Sequence, residues 1–191
     1  MATILVFGDS ETYGAWDSEG GWVSRLRKFI DKTNKEHMIY NLGVDGNNTE
    51  SLLIRFEFET KARLWPEEET IILFQIGAND SSRLSFERFN ENLKQLVKIA
   101  KKYSSKIVFL GLTSVDEKKT NPIPWNKDIS YKNDKIKRYN DAIKTICKEN
   151  KVYFIEISKI SLDEDGLHPS TKGHEKIFMT VKDFLIKNNV I

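Results

Sequence analysis

The sequence predicts a three-layer α/β/α sandwich around a five-stranded, mostly parallel sheet. Three observations carry that expectation: five short apolar runs, intervening segments with apolar residues at helical spacing, and connections long enough for crossovers.

The run at residues 4–7 is too brief for a helix and reads as a first buried strand. Trp22, Leu26, Phe29 and Ile30 then share one helical face, and residues 39–42 form a second strand. Leu52, Leu53 and Phe56 make another helical face ahead of a third strand at residues 71–76. The clearest amphipathic pattern follows, with Phe86, Phe89, Leu93, Leu96, Val97 and Ala100 on one side. After a fourth strand at residues 107–110 comes a helix carrying Ile136, Tyr139, Ile143, Ile146 and Cys147 inward. A fifth strand at residues 152–157 and a helix facing inward through Ile177, Phe178, Val181, Phe184 and Leu185 complete the pattern. No repeat, low-complexity tract or linker divides the 191 residues, so a single domain over 1–191 is expected. The longest irregular stretch, residues 113–132, contains Pro122, Pro124 and Trp125 and is a candidate cover for a site.

Composition narrows the function classes. With 30 Lys plus Arg against 28 Asp plus Glu, the formal charge is only +2, which gives nucleic-acid binding little support. Basic clusters such as Lys101-Lys102 are read as solvated helix faces. No apolar run approaches the ~20 residues of a bilayer span, so no membrane span is expected. Cys147 is the only cysteine and no charged-then-apolar leader precedes the first strand, so the expected compartment is the cytoplasm. Three histidines and one cysteine without ligand spacing give no zinc site.

In an open parallel sheet, ligands bind beyond the carboxyl ends of the strands. Four of the five strand-end loops carry polar candidates: Gly8-Asp9-Ser10, Gly43-Val44-Asp45-Gly46, Gly77-Ala78-Asn79-Asp80 and Asp165-Gly166-Leu167-His168. Alone, each has a bland reading. Ser10 could be a turn hydroxyl, Gly43 and Gly46 could serve a strand-to-helix turn, and Asn79 could be an ordinary turn residue with Asp80 as its partner.

Four blocks in this order resemble the SGNH (GDSL-type) hydrolase superfamily, over residues 7–173. The resemblance implies that Ser10 is the nucleophile, His168 the general base and Asp165 its orienting acid. It also implies oxyanion donors at the Ser10 and Gly46 backbone amides and the Asn79 side chain. The chemistry agrees, because a serine hydroxyl needs a neighbouring imidazole to take its proton as it attacks an acyl carbon. Asp165 precedes His168 by three residues with Gly166 between, so one tight loop can present both groups. Pro169 disfavours helical backbone at His168, while Ser170 or Thr171 can cap the following helix. His37 and His174 lack a matching acid and are expected at exposed or helix-surface positions. Asp9 is read as structural, accepting local backbone donors.

The early serine and the close Asp165–His168 pair favour a flavodoxin-like strand order, 2-1-3-4-5, over the larger α/β-hydrolase fold, whose G-x-S-x-G motif is absent. Glu11 departs from the leucine common after the family's serine. It either raises the local negative potential or faces solvent. Tyr13, Trp16, Leu84 and Trp125 are candidate pocket residues, and the stretch from Thr12 to Asp17 together with Gly20-Gly21-Trp22 resembles bacterial members that accept small acyl esters. The expected activity is a cofactor-free serine esterase on small, short-acyl carboxylic esters. A deacetylase of acetylated sugars and a thioesterase or lysophospholipase are alternatives with the same acyl-enzyme chemistry. A non-catalytic binding module is the alternative from another class. Nothing in the sequence fixes an oligomeric state.

Overall fold

A computed structural model describes residues 2–33 and 37–191. Its strands are β1 (Ala2–Gly8), β2 (His37–Gly43), β3 (Glu69–Gln75), β4 (Lys106–Leu110) and β5 (Tyr153–Ile155). All pairings are parallel, in the order β2-β1-β3-β4-β5, so the expected sandwich and strand order are both found. The helices are α1 (Ser10–Tyr13), α2 (Gly21–Thr33), α3 (Thr49–Lys61), α4 (Ala78–Arg83), α5 (Phe86–Ala100), α6 (Glu117–Thr120), α7 (Asn133–Asn150) and α8 (Thr171–Lys187). The five longer ones coincide with the amphipathic segments read from the sequence. The fifth strand is shorter than the apolar run at 152–157, because β5 is an edge that pairs only with β4 and its ladder ends at Ile155.

Successive strand residues point to opposite faces of the sheet, so each central strand feeds two cores. Leu5 and Phe7 of β1 and Ile72 and Phe74 of β3 pack beneath α3, α5 and α7. Ile4, Val6, Ile71 and Leu73 face α2 and α8. Phe7, Phe56, Phe74 and Phe109 form a continuous aromatic cluster, with ring centroids 4.7 to 5.9 Å apart. Offset and edge contacts at this spacing favour well-packed rings, and Phe7 anchors β1 just three residues before Ser10. The carboxyl ends of β1, β2 and β3 finish level, Gly8 pairing with both Gly43 and Gln75, which brings the first three loops to one edge.

Candidate active site

The nucleophile candidate sits where β1 turns directly into a helix. Asp9 caps α1 by accepting the Glu11 amide at 3.0 Å, so Ser10 is the first residue of α1 and is only 7% exposed. The turn is held against β2 by the Asn41 side-chain amide, which donates to the Thr12 carbonyl at 3.0 Å. Gly43 lets the two segments approach, since a Cβ there would lie 2.3 Å from the Tyr13 nitrogen.

His168 and Asp165 come from one tight turn just before α8. Asp165 Oδ1 accepts the Leu167 and His168 amides at 2.8 and 3.0 Å, which fixes the carboxylate on its own loop. Its Oδ2 lies 2.5 Å from His168 Nδ1, and His168 Nε2 lies 2.9 Å from Ser10 Oγ. Ser10, His168 and Asp165 therefore stand in one hydrogen-bonded line. Burial alone would raise the Asp165 pKa, but the bond to His168 and the two amides outweigh it and hold it at about 2. Burial alone would lower the His168 pKa, yet the Asp165 hydrogen bond and charge, with Glu11 and Asp45 adding to them, leave it raised. Trp16, with a left-handed backbone at φ +65°, brings its indole nitrogen 3.1 Å from Asp165 Oδ2 and 3.0 Å from His168 Nδ1. When Nδ1 carries the proton shared with Asp165, only the carboxylate can accept the indole N–H.

The second and third blocks meet each other at the same edge of the sheet. Gly46 adopts φ +69°, in the left-handed region, and its carbonyl accepts from Arg83 at 3.0 Å. Asn79 lies in the first turn of α4, with Nδ2 donating to the Asn47 carbonyl at 2.9 Å and Oδ1 2.6 Å from the Tyr131 hydroxyl. Asp80 grips the adjoining segment, accepting the Thr49 amide at 3.0 Å and its hydroxyl at 2.5 Å. Burial raises the Asp80 pKa to about 6 against the lowering effect of the Thr49 bonds.

Glu11 does not face solvent. Its carboxylate is buried, accepting Thr113 Oγ1 at 2.7 Å on one oxygen and Gln75 Nε2 at 2.7 Å on the other. Gln75 Oε1 in turn accepts Trp22 Nε1 at 2.7 Å and Thr12 Oγ1 at 3.2 Å. Burial raises the Glu11 pKa, opposed by the Thr113 bond and by the charge of His168. The same burial, reinforced by the Glu11 charge, raises that of Asp9, whose carboxylate accepts a local amide as expected.

An open cleft of about 860 Å³ is bordered by Trp16, whose indole reaches the line, and by Tyr13, Asp17, Ser24 and Asp45. Tyr13 and Trp16 are there as expected, both well exposed. Leu84 and Trp125 do not line it, which corrects the sequence reading: Leu84 is half-buried with its carbonyl accepting from Tyr139, and Trp125 is exposed on the 113–132 segment. A second correction concerns His174, expected on a helix surface but fully buried, with neither ring nitrogen hydrogen-bonded. It lies on the inward face of α8, where burial lowers its pKa to about 4. The candidate cover carries α6 and is tied down along its length. Besides Thr113 and Tyr131, the Asp116 amide donates to the Gly166 carbonyl at 2.8 Å and Lys119 Nζ to the Glu164 carbonyl at 2.8 Å. Sequence reasoning missed Gln75, Thr113, Tyr131 and Asn47. Only Gln75 carried a local signal, as a polar residue ending an apolar strand. Among the described residues, no group of three or more His, Cys, Asp and Glu side chains is placed to hold a metal ion.

Residues 6–176 match the model of the GDSL-like lipase/acylhydrolase family. The chain belongs to that family. It is a carboxylic ester hydrolase of the GDSL type, in keeping with its similarity to the isoamyl acetate-hydrolyzing esterase of Saccharomyces cerevisiae, 25% identical over 95% of this chain and 86% of the relative. Two solved structures share the fold. The lipase/acylhydrolase from Enterococcus faecalis has a TM-score of 0.81 at 20% identity, covering 98% of this chain and 97% of its own. Axe2, an acetylxylan esterase from Geobacillus stearothermophilus, has a TM-score of 0.75 at 19% identity, covering 96% and 92%. Among the described residues of this GDSL-type hydrolase, no helix is long and apolar enough to cross a membrane.

Proposed function

We propose that this GDSL-type hydrolase works through an acyl-enzyme intermediate on small, short-acyl carboxylic esters, with Ser10, His168 and Asp165 as its catalytic triad. The observation that carries the reading is the line from Asp165 through His168 to Ser10, with its 2.5 and 2.9 Å contacts. Ser10 Oγ attacks the ester carbonyl while His168 Nε2 takes its proton. Asp165, ionised at any pH above about 2, holds the Nδ1–H tautomer and stabilises the imidazolium that forms. His168 then protonates the leaving alcohol, and in the second stage activates the water that releases the acid. The Ser10 and Gly46 amides and the Asn79 side chain stabilise the oxyanion of each tetrahedral intermediate.

The short-acyl preference is supported by the likeness to an esterase named for an acetate ester. A sugar deacetylase is the second reading, favoured by the two exposed aromatic residues, Tyr13 and Trp16, that border the cleft. Residues 1–191 act as one unit, since the triad draws on both ends of the chain. A cytoplasmic place rests on the single cysteine, which is buried and unpaired. Initial rates on nitrophenyl esters from acetate to palmitate, acetylated xylooligosaccharides and acyl-CoA test the substrate reading. Fastest turnover on acetate and butyrate is expected. Equal rates across all chain lengths refute the short-acyl preference.

A further inference from the structure

The residue that fixes the proposed oxyanion amide comes from a segment distant in sequence. Tyr131 is buried at 3% exposure near the end of the 113–132 segment, and its hydroxyl lies 2.6 Å from Asn79 Oδ1. The amide has only one consistent orientation there. The Asn47 carbonyl, 2.9 Å away, can only accept, so Nδ2 must face it, and the atom facing Tyr131 is Oδ1. Tyr131 must therefore donate. Its backbone cannot drift, since its N–H donates to the Thr120 carbonyl at 2.9 Å and its own carbonyl accepts Thr120 Oγ1 at 3.1 Å. Burial raises the Tyr131 pKa and keeps the phenol protonated, as a donor must be. One hydrogen of Asn79 Nδ2 is committed to Asn47, and the other is left to point away from both partners.

We propose that Tyr131 is a positioning residue for the reaction: by donating to Asn79 Oδ1 it locks the amide so that the remaining N–H faces the developing oxyanion. This rests on the reading of Asn79 as an oxyanion donor. An amide held on one side only rocks about its terminal torsion, and a preorganised donor that must be reoriented loses much of its effect on the transition state. The segment is thus more than a cover. It braces Glu11 through Thr113, the His168 turn through Asp116, and Asn79 through Tyr131.

The test is a double-mutant cycle on the full chain with p-nitrophenyl acetate. Tyr131→Phe removes one oxygen from a residue that is otherwise unchanged. It is expected to lower kcat and kcat/KM together by roughly 5- to 20-fold with KM unaltered, the pattern of an interaction made in the transition state. Asn79→Ala is expected to lower kcat by roughly 10²- to 10³-fold. In the Asn79→Ala background, Tyr131→Phe should cost less than about twofold more, since its target is gone. Asn79→Leu, which is close in size and carries neither donor nor acceptor, replaces the alanine variant if thermal melts show that variant unfolded. Wild-type kcat in Tyr131→Phe, or an equal loss with and without Asn79, overturns the positioning role while leaving Asn79 in place. Wild-type activity in both Asn79 variants instead removes the oxyanion reading, and the Tyr131 role with it.

Discussion

At the residue scale, the position after the proposed nucleophile separates charge from shape. Glu11 is sealed between Gln75 and Thr113 and bears on His168 through space, so replacing it tests electrostatics without emptying a volume. Glu11→Gln is expected to keep the fold, lower kcat about fivefold, and move the acidic limb of the kcat/KM profile to lower pH. The sign follows from the role proposed for His168. A base must be unprotonated to accept the Ser10 proton, the His168 pKa is raised above the ordinary 6.5, and removing a nearby negative charge brings it down. A pH profile that stays in place after this substitution shows that Glu11 does not act on the imidazole. Ser10, Gly46, Asn79, Asp165 and His168 were legible as candidates because each sits in a short block at a strand end, where a loop motif has a local spelling. Gln75, Thr113 and Tyr131 were not, because their partners are 64, 102 and 52 residues away and such pairings leave no periodicity in the chain. His174 misled for a related reason: a histidine in a helix reads as polar, and only packing against α2 shows that it faces inward.

At the element scale, strands and long helices were readable because 2- and 3.6-residue periods accumulate over several turns. The short helices α1, α4 and α6 were not, having at most six residues each, and two of them hold Ser10 and Asn79 in their first turn. Two glycines separate close approach from backbone freedom. Gly43→Ala puts a methyl 2.3 Å from a backbone nitrogen of α1, so the β2–α1 contact must open and Ser10 must move. A clear loss of both Tm and kcat is expected, measured by thermal melts and nitrophenyl acetate turnover. Gly46→Ala meets nothing nearer than the end of the Arg83 side chain at 3.5 Å, and its penalty is the left-handed backbone, about 1–2 kcal/mol. That variant should fold with a lower Tm and keep its amide donor. A Tm loss from Gly46→Ala larger than from Gly43→Ala contradicts this division of roles.

Across the whole molecule, a buried ion pair joins the loop carrying Trp16 to the two helices behind it. Arg25 of α2 bonds Asp17, and also reaches Glu175 of α8 at 3.0 Å, while Thr171 donates to Asp17 at 3.0 Å. Burial opposes the charge on Asp17, but Arg25, Thr171 and two amides hold its pKa at about 2. Its stabilisation, about 2 kcal/mol, is present above pH 4 and is lost as the pH falls through 2. His174 acts at milder acidity. The folded imidazole stays neutral to about pH 4 while the unfolded one protonates near 6.5, so the unfolded state binds more protons and about 3 kcal/mol is lost between those values. Urea melts at pH 7 and 4.5 should show a smaller acid loss for His174→Leu than for the wild type. The comparison cancels the opposite contributions of Asp9, Glu11 and Asp80, and equal losses would remove His174 as the cause. These contacts matter because the site exists only when the two ends of the chain are held together, Ser10 from the first strand and His168 from the last turn before α8. The most direct measurement of that convergence is peptide mapping by mass spectrometry after treatment with a fluorophosphonate. The expected result is a single adduct on Ser10, lost in Ser10→Ala and strongly slowed in His168→Ala. An adduct on another residue, or ester hydrolysis undiminished in Ser10→Ala, contradicts the account.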